Sequence, residues 1–268
     1  YRTGDGFSYT WSPDGKWFAM EIIGNRHDPY SDIAIVSADG KGEVVNLTNS
    51  GYFDSNPRWV LDGNAILFSS ERYGMRNHAS WGSLQDVMIV FMNQDAYDKF
   101  RLNKEDYELL KEEEKRIASL KNKEQKEDQK DKKGETKLAV KEKKNIEVEL
   151  KGIEDRVMRL TPNSSQLGDA ILSKSGDKLY YMASFEGGMD LWVSDLRSRS
   201  TKVMHKLNSG WASLEMDKDG KDLFLLGGRS MQKISLGSER RSPIAYSAEM
   251  KLDQAAERAY MFDRVRRQ

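Results

Sequence analysis

The chain has 268 residues, enough for one large domain or two ordinary ones, with 38% hydrophobic and 32% charged residues. Its formal net charge of +0 gives no reason to expect a nucleic-acid or anionic-membrane partner. There is no cysteine, hence no disulfide framework, thiolate metal site or Cys nucleophile, and no apolar run approaches the ~18 residues of a membrane span.

The chain opens at Tyr1-Arg2-Thr3-Gly4, without a Met or an apolar leader, and reads as a piece excised from a longer protein. Any targeting segment would lie upstream, so the compartment, cytoplasmic or periplasmic, is left open. The first structured stretch is Trp11-Ser12-Pro13-Asp14-Gly15-Lys16-Trp17-Phe18-Ala19-Met20: an aromatic strand end, an Asp-Gly turn and an apolar strand. Gly supplies the positive φ that such hairpin turns need. The pattern returns more fully from Asn56 to Arg72 around Gly63, and more weakly around Gly176 and Gly220. Aligned on these glycines, position −4 holds Trp11, Trp59, Leu172 and Met216. Position +3 holds Phe18, Ile66, Leu179 and Leu223, and position +5 holds Met20, Phe68, Tyr181 and Leu225. Offsets of three and five differ by two, which places each pair on one face of a strand.

A third strand with an acidic start follows in Asp32–Val36, Asp86–Val90 and Asp190–Val193, degraded to Met231–Ile234 in the last unit. Fourth strands are expected at Val44–Thr48, Val157–Thr161, Val203–Leu207 and Pro243–Tyr246. From Gly15 to Gly63 is 48 residues (63 − 15), and from Gly176 to Gly220 is 44 (220 − 176). Four short strands in a period of roughly 40–50 predict an all-β fold of β-propeller blades, about four of them within residues 1–250. A β-sandwich is the structural rival, but it would not repeat its turn residues in register.

The repeat breaks once, between the third and fourth strands of the second unit, where residues 96–151 form an insertion. Tyr97 to Ala118 carries Leu102, Tyr107, Leu109, Leu110 and Ile117 among charged residues, which predicts a helix with an apolar stripe. Lys121 to Lys144 is almost wholly charged and is expected to stay a flexible loop for want of apolar surface. Residues 251–268 begin a helical linker region: Asp253 is a cap, Ala255, Ala259 and Phe262 share a face, and the cations of Arg264, Arg266 and Arg267 suit a helix C-terminus.

The unit around Trp11 resembles the repeats of TolB-type propellers, with their Trp-Ser-Pro-Asp-Gly-Lys turn. Two further segments resemble tricorn-type proteases. Gly152-Ile153-Glu154-Asp155-Arg156-Val157-Met158-Arg159-Leu160-Thr161 is similar to the approach to an outer strand of that family's second propeller, and Ala248 through Asp263 is similar to the exit of that propeller into a helical region. The resemblance covers nearly the whole chain apart from the charged insertion. It implies the C-terminal part of a seven-bladed propeller, a role as a channel or filter for unfolded peptides, and a serine peptidase core beyond Gln268. No residue here matches the family's catalytic motifs, so no catalytic residue is carried over and this chain alone is expected to hydrolyse nothing.

No Gly-x-Ser-x-Gly elbow is present; Gly228-Arg229-Ser230-Met231-Gln232 fails at its last position. His78, Ser80 and Asp86 are triad residue types confined to one loop, where a hydrogen-bonded loop histidine is the simpler reading. Asp217-Lys218-Asp219-Gly220-Lys221-Asp222 lacks the downstream Glu of a calcium loop and reads as a β-turn, so neither a metal nor another cofactor is expected. The stretch proposed for partner contact is the long loop Glu71–Gly82, with Arg72 and Arg76 to hold a peptide carboxylate and Trp81 to stack; a loop with one aromatic tucked against the neighbouring blade is the competing reading. The expected partners are peptides or unfolded polypeptide and the remainder of the parent protease. Exposed blade faces are further expected to make the fragment self-associate as a homo-oligomer. Two alternatives stay open: a TolB-like protein–protein interaction scaffold, and a free-standing four-bladed propeller.

Overall fold

The computed structural model describes residues 9–24, 29–75, 83–128, 145–227, 230–247, 249 and 251–267. Its skeleton follows from the four turn glycines, whose φ angles are +74°, +92°, +74° and +72° at Gly15, Gly63, Gly176 and Gly220. An L side chain rarely adopts such values, so each glycine fixes where its hairpin reverses. The strands on either side pair the −4 column with the +3 column: Trp11 opposite Phe18, Trp59 opposite Ile66, Leu172 opposite Leu179 and Met216 opposite Leu223.

Four antiparallel sheets result, each with its four strands in chain order. The first comprises β1 (Tyr9–Trp11), β2 (Trp17–Ile23), β3 (Ser31–Ser37) and β4 (Val45–Asn46). The second comprises β5 (Asp54–Val60), β6 (Ala65–Ser70), β7 (Asp86–Phe91) and β8 (Val157–Arg159). β9 (Gln166–Leu172), β10 (Lys178–Ser184), β11 (Met189–Asp195) and β12 (Ser200–Ser209) form the third. β13 (Ala212–Met216), β14 (Asp222–Gly227), β15 (Ser230–Ser235) and β16 (Arg240–Ile244) form the fourth.

Three of the turns share a device absent from the fourth. Three residues before the glycine stand Ser12, Ser173 and Asp217, whose side-chain oxygens accept from the amides of Trp17 (2.9 Å), Lys178 (3.0 Å) and Asp222 (2.8 Å). The second sheet has Val60 there, which offers no acceptor. Its turn winds instead into a single 3-10 turn, Leu61–Gly63, with left-handed φ at Leu61 (53°) and Asp62 (55°). The Asp-Gly hairpin expected around Gly63 is thus the most distorted of the four.

The acidic residues opening the third strands are fasteners. Asp32 accepts from Asn46 Nδ2, Thr48 Oγ1 and Ser50 N; Asp86 accepts from Arg159 Nε, Thr161 Oγ1 and Ser164 Oγ; Asp190 accepts from the amides of Leu207 and Asn208. Each carboxylate ties its strand to the next one, and Asp32 and Asp86 are fully buried in doing so. Burial of a charge is tolerable only with this degree of hydrogen bonding. In the first sheet the side chains displace the ladder: Asn46 Oδ1 accepts from Thr48 N and Asn49 N, so β4 is two residues long rather than the expected five. The last strand also runs earlier than predicted, because β16 pairs Arg240 with Ser235 and Ile244 with Met231.

The core lies between sheets. Ala19, Ile33 and Ile35 of the first meet Ile66, Phe68, Met88 and Val90 of the second. Leu67, Val87, Ile89 and Phe91 on the far face of the second meet Leu179, Tyr181 and Ala183 of the third. Tyr180, Met182, Leu191 and Val193 then meet Leu214, Leu223, Leu225 and Ile234 of the fourth. The +3 and +5 columns therefore form, in the last three sheets, the face turned toward the preceding sheet.

The insertion holds two helices, α1 (Gln94–Arg101) and α2 (Lys104–Asp128), capped by Asn93 and Asn103, whose Oδ1 atoms accept from Ala96 N and Asp106 N. The predicted stripe is only partly used: Tyr107 is buried, whereas Leu109 and Ile117 remain 64% and 44% exposed. The expectation of a loop from Lys121 is corrected for residues 121–128, which continue α2. Lys, Glu and Gln have high helix propensity and can extend a helix that packing has already nucleated; residues 129–144 lie outside the described residues.

Both limbs of the insertion are docked. Arg197, between β11 and β12, donates through Nη1 to the carbonyls of Phe100 (2.6 Å) and Leu102 (2.9 Å) and through Nε to Asp177 (3.0 Å). It stacks 3.8 Å over the Tyr107 ring, and Tyr107 donates its hydroxyl to Ser175 O. On the returning limb, Ile146 N donates to Asp14 Oδ2 (3.0 Å), and Ile146 packs so closely on Gly63 that a Cβ there would collide with it. Helix α3 (Gln254–Arg266) starts at Asp253, whose Oδ1 accepts from Ala255 N and Ala256 N, and it is exposed along its length. Among the described residues no helix is long and apolar enough to cross a membrane.

Candidate functional site: a pocket where the first strands converge

The first strand of every sheet contributes to one pocket of about 360 Å³, lined by Tyr9 and Thr10 of β1, Asn56 to Arg58 of β5, Gly168 to Ala170 of β9, and Ser213 of β13. Glu21 from β2 and Trp211, just before β13, complete the rim. Tyr9 is 49% exposed and Trp211 64% exposed, so large aromatic surface faces this opening.

Arg58 crosses the pocket. Its Nη1 donates to Leu214 O (3.1 Å), and its Nη2 lies 3.4 Å from Asp169 Oδ2 and 3.7 Å from Glu215 Oε1. Asp169 Oδ2 in turn accepts from Leu214 N (2.7 Å), so both main-chain groups of Leu214 are capped by side chains from other sheets. β5 is treated alike: Asn56 N donates to Glu21 Oε1 (2.8 Å), and Thr10 Oγ1 donates to Pro57 O. Trp59 Nε1 donates to Thr10 O at 3.2 Å. Strand edges that could pair with an incoming chain are closed at these points.

A larger cleft of about 770 Å³ lies on the turn side, between the hairpin turns and the insertion. Its most buried cation, Arg197, already donates to Asp177 and to two carbonyls of the insertion. This cleft is a docking seam rather than an open site.

Of the residues proposed from the loop after β6, Arg72 is described and does not line this pocket, pairing instead with the start of β5. Its Nη2 is 3.8 Å from Asp54 Oδ2, and its amide donates to Ser70 Oγ. Asp54 is fully buried, and desolvation raises its pKa, opposed by hydroxyl hydrogen bonds and by Arg72. Arg76, His78 and Trp81 fall outside the described residues. The Gly152–Thr161 segment serves the return of the chain: Gly152 is left-handed (φ 69°), Ile153 is buried, and Arg156 donates to the carbonyls of Phe91, Glu149, Lys151 and Gly152. Asp217 is a turn acceptor, as expected.

Glu21, Arg58, Asp169 and Trp211 were not singled out from the sequence. A signal exists for two of them: counted back from the turn glycines, position −7 is polar in every unit (Ser8, Asn56, Asp169 and Ser213), and position −5 holds Thr10, Arg58 and Glu215 but Ile171 in the third.

Four-stranded antiparallel sheets stacked face to face, with their first strands gathered on one pocket, define the class: these are β-propeller blades. The fold is similar to that of TolB from Acinetobacter baumannii (TM-score 0.52, 12% identity, over 88% of this chain and 43% of that one). It is similar to the tricorn protease (TM-score 0.52, 10% identity, over 88% and 22%) and to a puromycin-hydrolysing peptidase from Mycobacterium tuberculosis (TM-score 0.50, 12% identity, over 94% and 30%). At these identities the likeness is one of fold, and the chain spans less than half of each of these three. No family model and no curated relative matches it.

Proposed function

We propose that this chain is a non-catalytic propeller segment of a tricorn-like serine peptidase, guiding or filtering peptides toward a protease core outside it. The observation that supports this is the converging pocket, where four first strands offer side chains and aromatic surface to a passing ligand while their main-chain edges are capped. The Gly152–Thr161 and Ala248–Asp263 resemblances point the same way. The purified chain is expected to bind unfolded polypeptide and to cleave none. Hydrolysis by the isolated chain would overturn the first half of this reading, and binding only to folded proteins the second.

A TolB-like interaction scaffold is the second reading, favoured by α3, where Tyr260, Met261, Phe262 and Val265 are all more than half exposed. Recovery of one folded partner at fixed stoichiometry, with no retention of unfolded peptide, would favour it.

A further inference from the structure

We propose that the pocket between the first strands selects a cationic side chain, the lysine or arginine of a peptide, seated between the Tyr9 and Trp211 rings. This rests on the peptide-guiding reading above and narrows it. Three features of the pocket carry the argument.

The first is its size: about 360 Å³ lies at the small end of ligand sites, roughly 300–1,000 Å³, and suits a side chain better than a folded surface. The second is what its walls leave available. Leu214 N and O, Asn56 N and Pro57 O are already bonded to Asp169, Arg58, Glu21 and Thr10, so a ligand cannot be held there by strand addition and is read through its side chain. The third is charge. Among the described residues, Glu21 and Asp169 line the pocket and Glu215 stands beside it, against the single cation Arg58. Arg58 is engaged by Asp169 and Glu215, whereas Glu21 meets no cation among the described residues. A guanidinium or ammonium gains both from the Glu21 carboxylate and from the exposed aromatic surface. A carboxylate ligand would instead meet the like charges of Glu21, Asp169 and Glu215 around Arg58.

Titration calorimetry on the whole chain in low salt, with blocked pentapeptides Gly-Gly-X-Gly-Gly, tests this. With X as lysine, binding is expected to be about tenfold tighter than with norleucine, the size of a cation–π contact joined to one ion pair, and tighter still than with glutamate. Glu21→Gln keeps the acceptor for Asn56 N and should erase most of that preference; Trp211→Ala, at an exposed position, should weaken lysine binding several-fold. Equal affinity for the lysine and norleucine peptides would overturn the inference while leaving peptide guidance standing. So would a lysine preference unchanged in both variants. Failure of all three peptides to bind would overturn the inference and the reading beneath it together.

Discussion

The second and fourth blades carry the same turn glycine and the same apolar columns, yet they are finished differently. The second is buried on both faces, every residue of its β6 and β7 being buried, and its outer strands are fastened by Asp86. In the fourth, the residue paired as Asp86 is paired is Ser230, so that fastener is missing. Opposite the +4 position, where the first three blades have Ile35, Ile89 and Val193, the fourth has Lys233, bound to Asp222 at 2.7 Å. A repeat keeps its packing residues where a neighbouring sheet covers them and exchanges them for charge where none does. The first blade shows the other outcome: its outward column stays apolar, with Met20, Ile22 and Ala34 buried and Val36 and Val44 packed against them.

The sharpest test of this contrast is aromatic truncation. Phe91→Ala, inside the second blade and against Phe100 of α1, should cost about 3–5 kcal/mol in urea unfolding. Phe224→Ala, half-buried in the fourth, should cost only about 1 kcal/mol; equal losses would mean that the fourth blade's face is covered. Next comes the fastener. Asp86→Asn keeps the shape but loses charge-assisted bonds to Arg159 and the hydroxyls, for about 2 kcal/mol, and Ser230→Ala should stay within about 0.5 kcal/mol. Hydrogen exchange should correspondingly open β15 and β16 before β7 and β8.

A smaller change in stability, within about 1 kcal/mol, is expected for Lys233→Leu, since its ion pair is solvent-exposed. That variant should self-associate at lower concentration in analytical ultracentrifugation, because it restores the interface column. The finest effect concerns Asp54, at the seam of the first two blades. Its raised pKa means that the folded state holds the proton more tightly than the unfolded state does. Its contribution therefore favours folding least above that raised value and improves as pH falls toward the ordinary carboxylate range. Relative to Asp54→Asn, the wild-type chain should lose stability as pH rises from about 4, levelling off above the raised value. A flat difference across that range would show that Arg72 and the hydroxyls compensate the charge fully.

What could be read from the residues divides along physical lines. Turn glycines, the −4 and +3 columns and the acidic strand starts depend on local geometry and pairing, and all four sheets follow from them. The insertion was harder. Leu109 and Ile117 look like a buried stripe, but only Tyr107 finds a surface, and that surface is supplied by Arg197 some 90 residues away (197 − 107). Arg72 drew attention through its loop, whereas Arg58, inside a strand, reaches the pocket because the stacking of blades brings β5, β9 and β13 to one place. No local pattern encodes that convergence; only the polar −7 position hints at it.

The way α1 and α2 are held has a mechanical corollary. The detour leaves the second blade but is gripped by Arg197, Ser175 and Asp177 of the third, so pulling those two blades apart must also tear away a helix pair. Among the described residues, the seam between the third and fourth blades has no such brace. Under load or mild denaturant the stack should part there first, shedding its last sheet and α3 as one piece.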